Sequence, residues 1–232
     1  MDLLHLTEKA VNKMGHDWKE TAKKGFLFSG EMTASATHEI KNSLAVIKEN
    51  AGLLEDLAHM AEKGRPLLPE KVITLGQRIS KHVDQANKTI TNINKLAHST
   101  DRFESSVNVV EILEFLQTMT SRLTINRGVR LALSSPGKDL VLTTSPFLLK
   151  QLVWQCICLL MEEMYDSKEV QINIAGGDKS VILLFKGVAV SKEAFDLFVS
   201  KEANALRSPI NYDITRDENT GELVLIVRSS SL

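Results

Sequence analysis

The feature that most constrains the fold of this 232-residue chain is a set of apolar residues that recurs with a seven-residue period. Its members step by four and three residues along the chain: Ile40, Leu44, Ile47, Ala51, Leu54 and Ala58. This spacing keeps apolar side chains on one side of a helix and is typical of helices that pack knobs into holes. We therefore predict a long helix over residues 27–61. It should end near Gly64, which suits a left-handed C-terminal cap, and before Pro66.

A second apolar repeat predicts another long helix over residues 69–97, with Pro69 tolerated in its first turn. Its apolar members are Val72, Leu75, Ile79, Ala86, Ile90, Ile93 and Ala97. Because only a few residues connect the two helices, they should pack antiparallel as a hairpin. A single hairpin has little apolar surface to bury internally. We therefore expect two copies of the chain to pair as a homodimer with a four-helix bundle.

The rest of the chain predicts further domains on either side of this hairpin. Residues 1–26 form an N-terminal helical extension, residues 27–98 the hairpin, 99–106 a polar linker, and 107–232 an α/β domain. In the α/β domain, alternating and buried apolar patterns predict a mixed sheet with helices behind it. The helices are expected over 109–123, 146–164 and 191–205, the last with Ser191 as N-cap. The strands are expected over 129–134, 140–144, 170–175, 181–186, 212–215 and 223–228, with turns at 135–137 and 176–178.

Composition narrows the class of protein. A formal net charge of -1 gives no electrostatic case for binding nucleic acid or an anionic membrane. No apolar run approaches the roughly 18 residues of a transmembrane helix, and no signal-peptide pattern opens the sequence, so we expect a cytoplasmic protein. Cys156 and Cys158 stand two apart in an apolar helix, where they do not face each other. They are expected to be buried thiols and not a disulfide or a zinc site.

One local motif carries candidate chemistry, the stretch THEIKNSLAVI at residues 37–47. His38 lies two residues before Ile40, so the helical period turns its imidazole away from the apolar seam. Glu39 beside it can accept a hydrogen bond from one ring nitrogen, leaving the other free as a nucleophile. Asn42 follows one turn later on the face of His38 and can orient a water. Lys41 is a weaker candidate for screening phosphate charge.

This motif resembles the phosphoacceptor box of histidine kinases, H-E-x-x-N-x-L, although Ser43 stands where that family usually has proline. The resemblance covers residues 27–98 and extends loosely, by element order, into the C-terminal domain. It implies that His38 is the phosphoacceptor and that Glu39 assists the transfer. It also implies that Asn42 supports dephosphorylation of a partner response regulator. The other histidines, His5, His16, His59, His82 and His98, lie outside any such motif and do not cluster at metal-ligand spacing.

The same resemblance implies that the second domain is a degenerate ATP-binding domain. Gln155 and Leu159 stand where the family has asparagines for Mg²⁺ and nucleotide, and leucine has no oxygen donor. After the strand at 181–186 the chain reads GVAVS from Gly187, in place of an Asp-x-Gly-x-Gly turn. We therefore expect no directly bound cofactor and no metal site in this chain. Mg²⁺ is expected only on a partner receiver domain.

Three functional hypotheses remain open from the sequence. The first is a phosphorelay histidine phosphotransferase that exchanges a phosphoryl group between His38 and receiver aspartates of response regulators. The second is an active sensor histidine kinase with a divergent nucleotide site, although ATP-dependent autophosphorylation is disfavoured by the lost motifs. The third is a non-catalytic adaptor, or a phosphatase of a response regulator that uses Asn42. These hypotheses share the same helix and differ in the source and fate of the phosphate.

Overall fold

A computed structural model describes residues 3–134, 140–164, 169–177, 179–206 and 210–230, with side chains from residue 18 onward and without that of residue 205. The chain divides into two compact units. The hairpin unit comprises Met32–Lys95, and the α/β unit comprises the residues up to Glu31 together with those from Leu96 onward. The predicted turn at 135–137 and Asp178 of the second predicted turn lie outside the described residues.

Two long helices open the chain, α1 (Leu3–Glu62) and α2 (Pro69–His98). The sequence predicted a helical extension over 1–26 and a helix over 27–61, and the structure joins both into α1, with Gly25 inside the helix. Beyond α1, Gly64 has φ of 80°, and its N–H donates to the carbonyl of Ala61 at 2.9 Å. This left-handed conformation confirms the predicted C-terminal cap.

In the hairpin unit, the stripe of residues that becomes buried differs from the predicted seam. Ile40 and Ile47 are half-buried, but Leu44 is 54% exposed and Ala58 is also exposed. Buried positions of α1 instead include Ala36, Ser43 and Asn50, which are spaced seven residues apart. One chain offers each helix a single partner, so only the stripe that faces that partner is covered, and the remaining apolar residues stay on the surface.

The α/β unit continues with five helices and strands before its sheet is complete. They are β1 (Ser105–Asn108), α3 (Val109–Asn126), β2 (Arg130–Leu133), β3 (Val141–Thr144) and α4 (Pro146–Glu162). The sequence missed β1 because it lies in a segment that was predicted to be a polar linker. This strand pairs antiparallel with β3 in a separate two-stranded sheet. The predicted strand at 140–144 is therefore present but lies outside the main sheet.

The main sheet is five-stranded and mixed, in the order β2, β4, β5, β7, β6. Its remaining strands are β4 (Glu169–Gly177), β5 (Ser180–Lys186), β6 (Tyr212–Arg216) and β7 (Leu223–Arg228). Of its four described strand pairs, β2–β4 is parallel and the other three are antiparallel. Alternate residues are buried on one face, and β5 and β7 place Leu183 opposite Leu225 in register. The predicted mixed sheet is confirmed.

Side chains cap the helices of this unit. Ser145 accepts a hydrogen bond from the N–H of Leu148 at the start of α4, and Ser191 accepts one from Ala194 at 3.3 Å. The second bond confirms the predicted N-cap of the next helix, α5 (Lys192–Phe198). The predicted helix to residue 205 is less regular, because α5 passes into a π-helical turn and then a 3₁₀ turn that ends at Leu206. Among the described residues, no helix is long and apolar enough to cross a membrane.

Candidate functional site

His38 lies on α1 within the hairpin unit, and its side chain is exposed. Two residues later Ile40 is half-buried, as the helical period requires for a histidine turned away from the seam. The helix continues through His38 without a kink-inducing proline, so its backbone is fixed while its imidazole faces solvent. Such a ring can be approached by a second protein.

The two residues predicted to assist His38 lie on different sides of α1. Asn42 is exposed one turn after His38, whereas Glu39 is half-buried. Adjacent residues on a helix diverge by about 100°. In the described part of the chain, no hydrogen bond joins Glu39 to His38. The structure therefore places His38 and Asn42 on one accessible face, together with the exposed Lys41, and leaves the Glu39 carboxylate apart from the ring.

Three other histidines have described side chains and different surroundings. His59 is exposed near Glu62, with Nδ1 3.2 Å from the carboxylate, and His98 lies 2.8 Å from Asp101. His82 of α2 is half-buried, and its Nδ1 has no partner among the described residues. Within the same ranges, no three His, Cys, Asp or Glu side chains converge to hold a metal ion.

The α/β unit contains a cavity of about 500 Å³, which we call the α4 cavity. Helix α4 forms one wall through Gln151, Trp154, Gln155 and Leu159. Two other elements complete it, the first part of α1 with Lys24, Leu27, Phe28 and Glu31, and the α5 region with Ala194, Leu197, Phe198, Lys201 and Glu202. Its remaining lining residues are Arg127, Cys158, Glu162 and Glu163. Of the three positions predicted to mark a degenerate nucleotide site, Gln155 and Leu159 therefore line one cavity, and Gly187 follows β5 elsewhere.

Polar contacts fix the walls of the α4 cavity. The indole Nε1 of Trp154 donates to a carboxylate oxygen of Glu31 at 2.8 Å, and Trp154 is almost fully buried. The ammonium of Lys24 lies 3.0 Å from the carboxylate of Glu202 and also donates to the carbonyl of Lys201. The first part of α1 is thereby bonded both to α4 and to the segment that follows α5.

Two glutamine side chains on α4 have amide atoms that lack hydrogen-bond partners in the described residues. Gln151 has 0% exposure, and neither its amide nitrogen nor its amide oxygen has a hydrogen-bond partner in the described residues. The amide oxygen of Gln155, one turn further on, also lacks a partner there. Nearby, burial raises the pKa of the Cys158 thiol to about 12, with Glu31 adding to the effect, and raises that of Cys156 further. Both cysteines are free thiols.

The sequence alone did not reveal the α4 cavity. Its walls come from segments far apart in the sequence, and the α1 residues that line it were predicted to lie in the N-terminal extension or in the hairpin, not beside α4. A signal was nevertheless present, because Lys150, Gln151 and Gln155 interrupt a largely apolar helix. Polar residues on the buried side of an apolar helix require a partner, and that requirement points to a site.

The chain matches no protein-family model and no curated protein. Among solved structures, it is similar to the histidine kinase AdeS of Acinetobacter baumannii, with a TM-score of 0.43, 12% identity and coverage of 83% of this chain and 97% of that one. It is also similar to the histidine kinase ThkA in complex with the response regulator protein TrrA, with a TM-score of 0.44, 16% identity and coverage of 92% and 66%. A third similar structure is a bacterial phosphotransferase, with a TM-score of 0.42, 11% identity and coverage of 87% of this chain and 96% of that one. At these scores and identities, no activity or partner of this chain follows from the similarity.

Proposed function

We propose that this chain is a histidine phosphotransferase of a two-component phosphorelay. His38 carries the phosphoryl group and exchanges it with the receiver aspartates of response regulators. The observation that carries this proposal is the exposed His38 on a hairpin helix, within the T-H-E-I-K-N sequence that resembles a phosphoacceptor box. A partner aspartate can approach this ring because no described residue covers it.

The transfer requires few groups from the chain itself. An unprotonated ring nitrogen of His38 attacks the phosphorus of an aspartyl phosphate, the new P–N bond forms, and the P–O bond to the aspartate breaks. The aspartate leaves as a carboxylate, and the other ring nitrogen of His38 keeps its proton, which Glu39 can accept as a hydrogen bond after its side chain turns. Phosphoryl transfer depends mainly on positioning and charge stabilisation. We expect Mg²⁺ to contribute from the receiver side only.

The residues of the α4 cavity do not fit a magnesium nucleotide. At the position that the resemblance assigns to an asparagine ligand of Mg²⁺, Leu159 presents a hydrocarbon that is 7% exposed and has no oxygen donor. The charged lining residues comprise four carboxylates and three cations, which gives a polyphosphate no net attraction. The segment after Gly187 buries Val188 and Val190 where a base-reading carboxylate would be needed. These features support a phosphate source outside the chain.

A homodimer is part of the proposal and is supported by the hairpin's surface. Its helices leave several large apolar side chains uncovered: Leu44, Leu53, Met60, Ile73, Val83 and Ile90. The apolar surface that these side chains form on the hairpin is available for packing against another helix pair. A second hairpin with the same repeat would cover it as a four-helix bundle.

The deciding experiment uses a purified receiver domain that carries labelled phosphate on its aspartate. Wild-type chain should gain label from it, and His38→Ala should gain none. His59→Ala is the matched control, since His59 is another exposed histidine of α1, and it should gain label normally. Label on His38→Ala, or none on the wild type with several receivers, contradicts the proposal. Labelling of His38 from ATP and Mg²⁺ alone would instead establish the sensor-kinase alternative.

The exposed Asn42 favours a second candidate function, dephosphorylation of a receiver. In that case the amide orients a water for attack on the aspartyl phosphate, and no phosphohistidine forms. Substitutions at Asn42 and His38 distinguish the two functions. Asn42→Ala should slow the release of inorganic phosphate from the receiver, with His38→Ala unaffected, if the phosphatase is the operating activity.

A further inference from the structure

Helix α2 carries three lysines that the phosphotransfer proposal does not use, Lys81, Lys88 and Lys95, which we call the lysine row. They are seven residues apart, close to two helical turns, so they follow one side of the helix. All three are exposed, and none has a hydrogen bond or ion pair in the described residues. Even Asp84, one turn from Lys81 and from Lys88, pairs with neither. The ammonium groups are therefore available to another molecule.

A groove between α1 and α2 shows that the lysine row lies on the same side of the hairpin as His38. Asp56 of α1 and Thr74 of α2 both line this groove. Asp56 stands fourteen residues after Asn42, and Thr74 stands seven residues before Lys81. By the helical period, Asp56 shares the side of α1 that carries Asn42, and Thr74 shares the side of α2 that carries the lysine row. The accessible face of His38 and Asn42 therefore borders the row.

The same groove also shows which residues of the two helices lie at the same height. Its α1 lining comes from residues 53–60 and its α2 lining from residues 70–78. The helices run antiparallel with the same rise per residue, so the level of His38 on α1 corresponds to about residue 92 of α2. Lys88 and Lys95 stand about one helical turn from that level, one on each side.

The half of the hairpin that contains His38 is also its positive half. Residues 36–50 and 81–95 contain five lysines and three carboxylates, whereas residues 51–80 contain four cationic and four acidic side chains. The exposed apolar Val83 and Ile90 each follow a lysine of the row by two residues, which turns them about 200° away from it. Pairing of two hairpins through that apolar side leaves the lysine row accessible.

We propose that the lysine row is a docking surface for an acidic face of a partner protein, which it orients over His38. The acidity of that face rests on the proposed function, because an aspartyl phosphate is anionic. Surfaces of opposite charge speed association and fix the orientation of the two partners. The lysines are positioning residues, and His38 remains the group that reacts.

The test measures docking separately from phosphoryl transfer. Several purified, unphosphorylated receiver domains of negative net charge are each titrated against the full chain by biolayer interferometry. At least one should bind the wild type, and Lys88→Glu combined with Lys95→Glu should weaken that binding at least tenfold, chiefly through slower association. Added salt should reduce this difference, because it screens exposed charges. Arginine at both positions should preserve the affinity, since the positive charge is retained.

The matched control is Lys63→Glu combined with Arg65→Glu, which changes the net charge equally at the turn of the hairpin, roughly 35 Å from His38 along α1. It should leave docking nearly unchanged, and both double variants should keep the thermal midpoint of the wild type. Equal weakening by the control, absence of binding by every receiver, or tighter binding of a short DNA duplex than of any receiver overturns the proposal. A receiver that docks through the lysine row and never labels His38 would support the docking surface and contradict the phosphotransfer.

Discussion

The two units of this molecule bury their residues in different ways. The α/β unit encloses large apolar side chains completely, among them Leu149, Leu160 and Phe185. The hairpin unit buries few large side chains, and its buried positions include Ser43, Asn50 and Thr89, while several leucines and isoleucines such as Leu44 and Ile73 remain on its surface. The difference indicates that the α/β unit closes a large apolar core within one chain, whereas the hairpin keeps most of its large apolar side chains at a surface that a second copy can cover.

The largest expected loss of stability follows from a substitution in the core of the α/β unit. Leu149→Ala removes a side chain with 0% exposure and should lower the free energy of unfolding by about 2–5 kcal/mol. Leu54→Ala, at a half-buried position of α1, should cost about 1 kcal/mol. Urea unfolding, followed by tryptophan fluorescence and by far-ultraviolet circular dichroism, measures both. Equal losses would remove the contrast between the two units.

The next effect concerns self-association. Leu44→Glu places a charge in the exposed apolar surface of the hairpin and should weaken the proposed dimer at least tenfold, or about 1.4 kcal/mol. Light scattering coupled to gel filtration across a range of protein concentrations measures the change. Leu67→Glu, in the connection between α1 and α2 and similarly exposed, is the control. A monomeric wild type, or the same mass for Leu44→Glu as for wild type, would show that the hairpin surface serves another purpose.

A smaller gain is expected from the polar interior of the hairpin. Asn50 is 4% exposed, its amide nitrogen donates to the carbonyl of Val46 at 2.7 Å, and its amide oxygen has no partner in the described residues. Asn50→Leu should stabilise the fold by about 1 kcal/mol, because the unpaired oxygen is removed. Thermal unfolding measures the gain, and Asn94→Leu at an exposed position of α2 should not reproduce it. A lower midpoint for Asn50→Leu would mean that this asparagine stabilises the hairpin.

The smallest effect belongs to an exposed turn of the α/β unit. Hydrogen bonds from the N–H and hydroxyl of Thr220, and from the N–H of Asn219, lower the pKa of Asp217 below its usual 3.8. Since the folded value is the lower one, these bonds contribute fully above pH 3.8 and are lost as the pH falls through the folded pKa. A carbon-13 titration of the carboxyl group should give a midpoint below 3.8. Thr220→Val should raise it, and Thr220→Ser should not.

Local patterns predicted most of the elements because each depends on neighbours in the sequence. The seven-residue repeats predicted both long helices, Gly64 predicted the end of α1, and Ser191 predicted the start of α5. Strand β1 was missed because its pairing with β3 compensates for a polar sequence. The π-helical turn after α5 also has no simple sequence signal, since it depends on how the chain packs locally.

The two candidate sites differ in the same respect: one follows from a local sequence pattern and the other depends on tertiary packing. His38 and Asn42 lie on one helix turn, so their shared face follows from the helical period alone. The α4 cavity requires the first part of α1 to meet a helix that begins at Pro146, and no local pattern encodes that contact. Gln151 and Gln155 were visible as polar interruptions of an apolar helix, but their unpaired state depends on tertiary packing.

Gly25 has a consequence that extends beyond the conformation of α1. A methyl group at this position would stand 3.2 Å from the ring of Phe147 and 3.6 Å from the amide oxygen of Gln151. Glycine in a helix interior is about 1 kcal/mol less favourable than alanine, so helix propensity alone would select against it. The absence of a side chain at residue 25 therefore allows α1 to pack closely against α4. An alanine there would require the ring of Phe147 to shift by a few tenths of an ångström, so the close packing of α1 against α4 depends on the missing side chain.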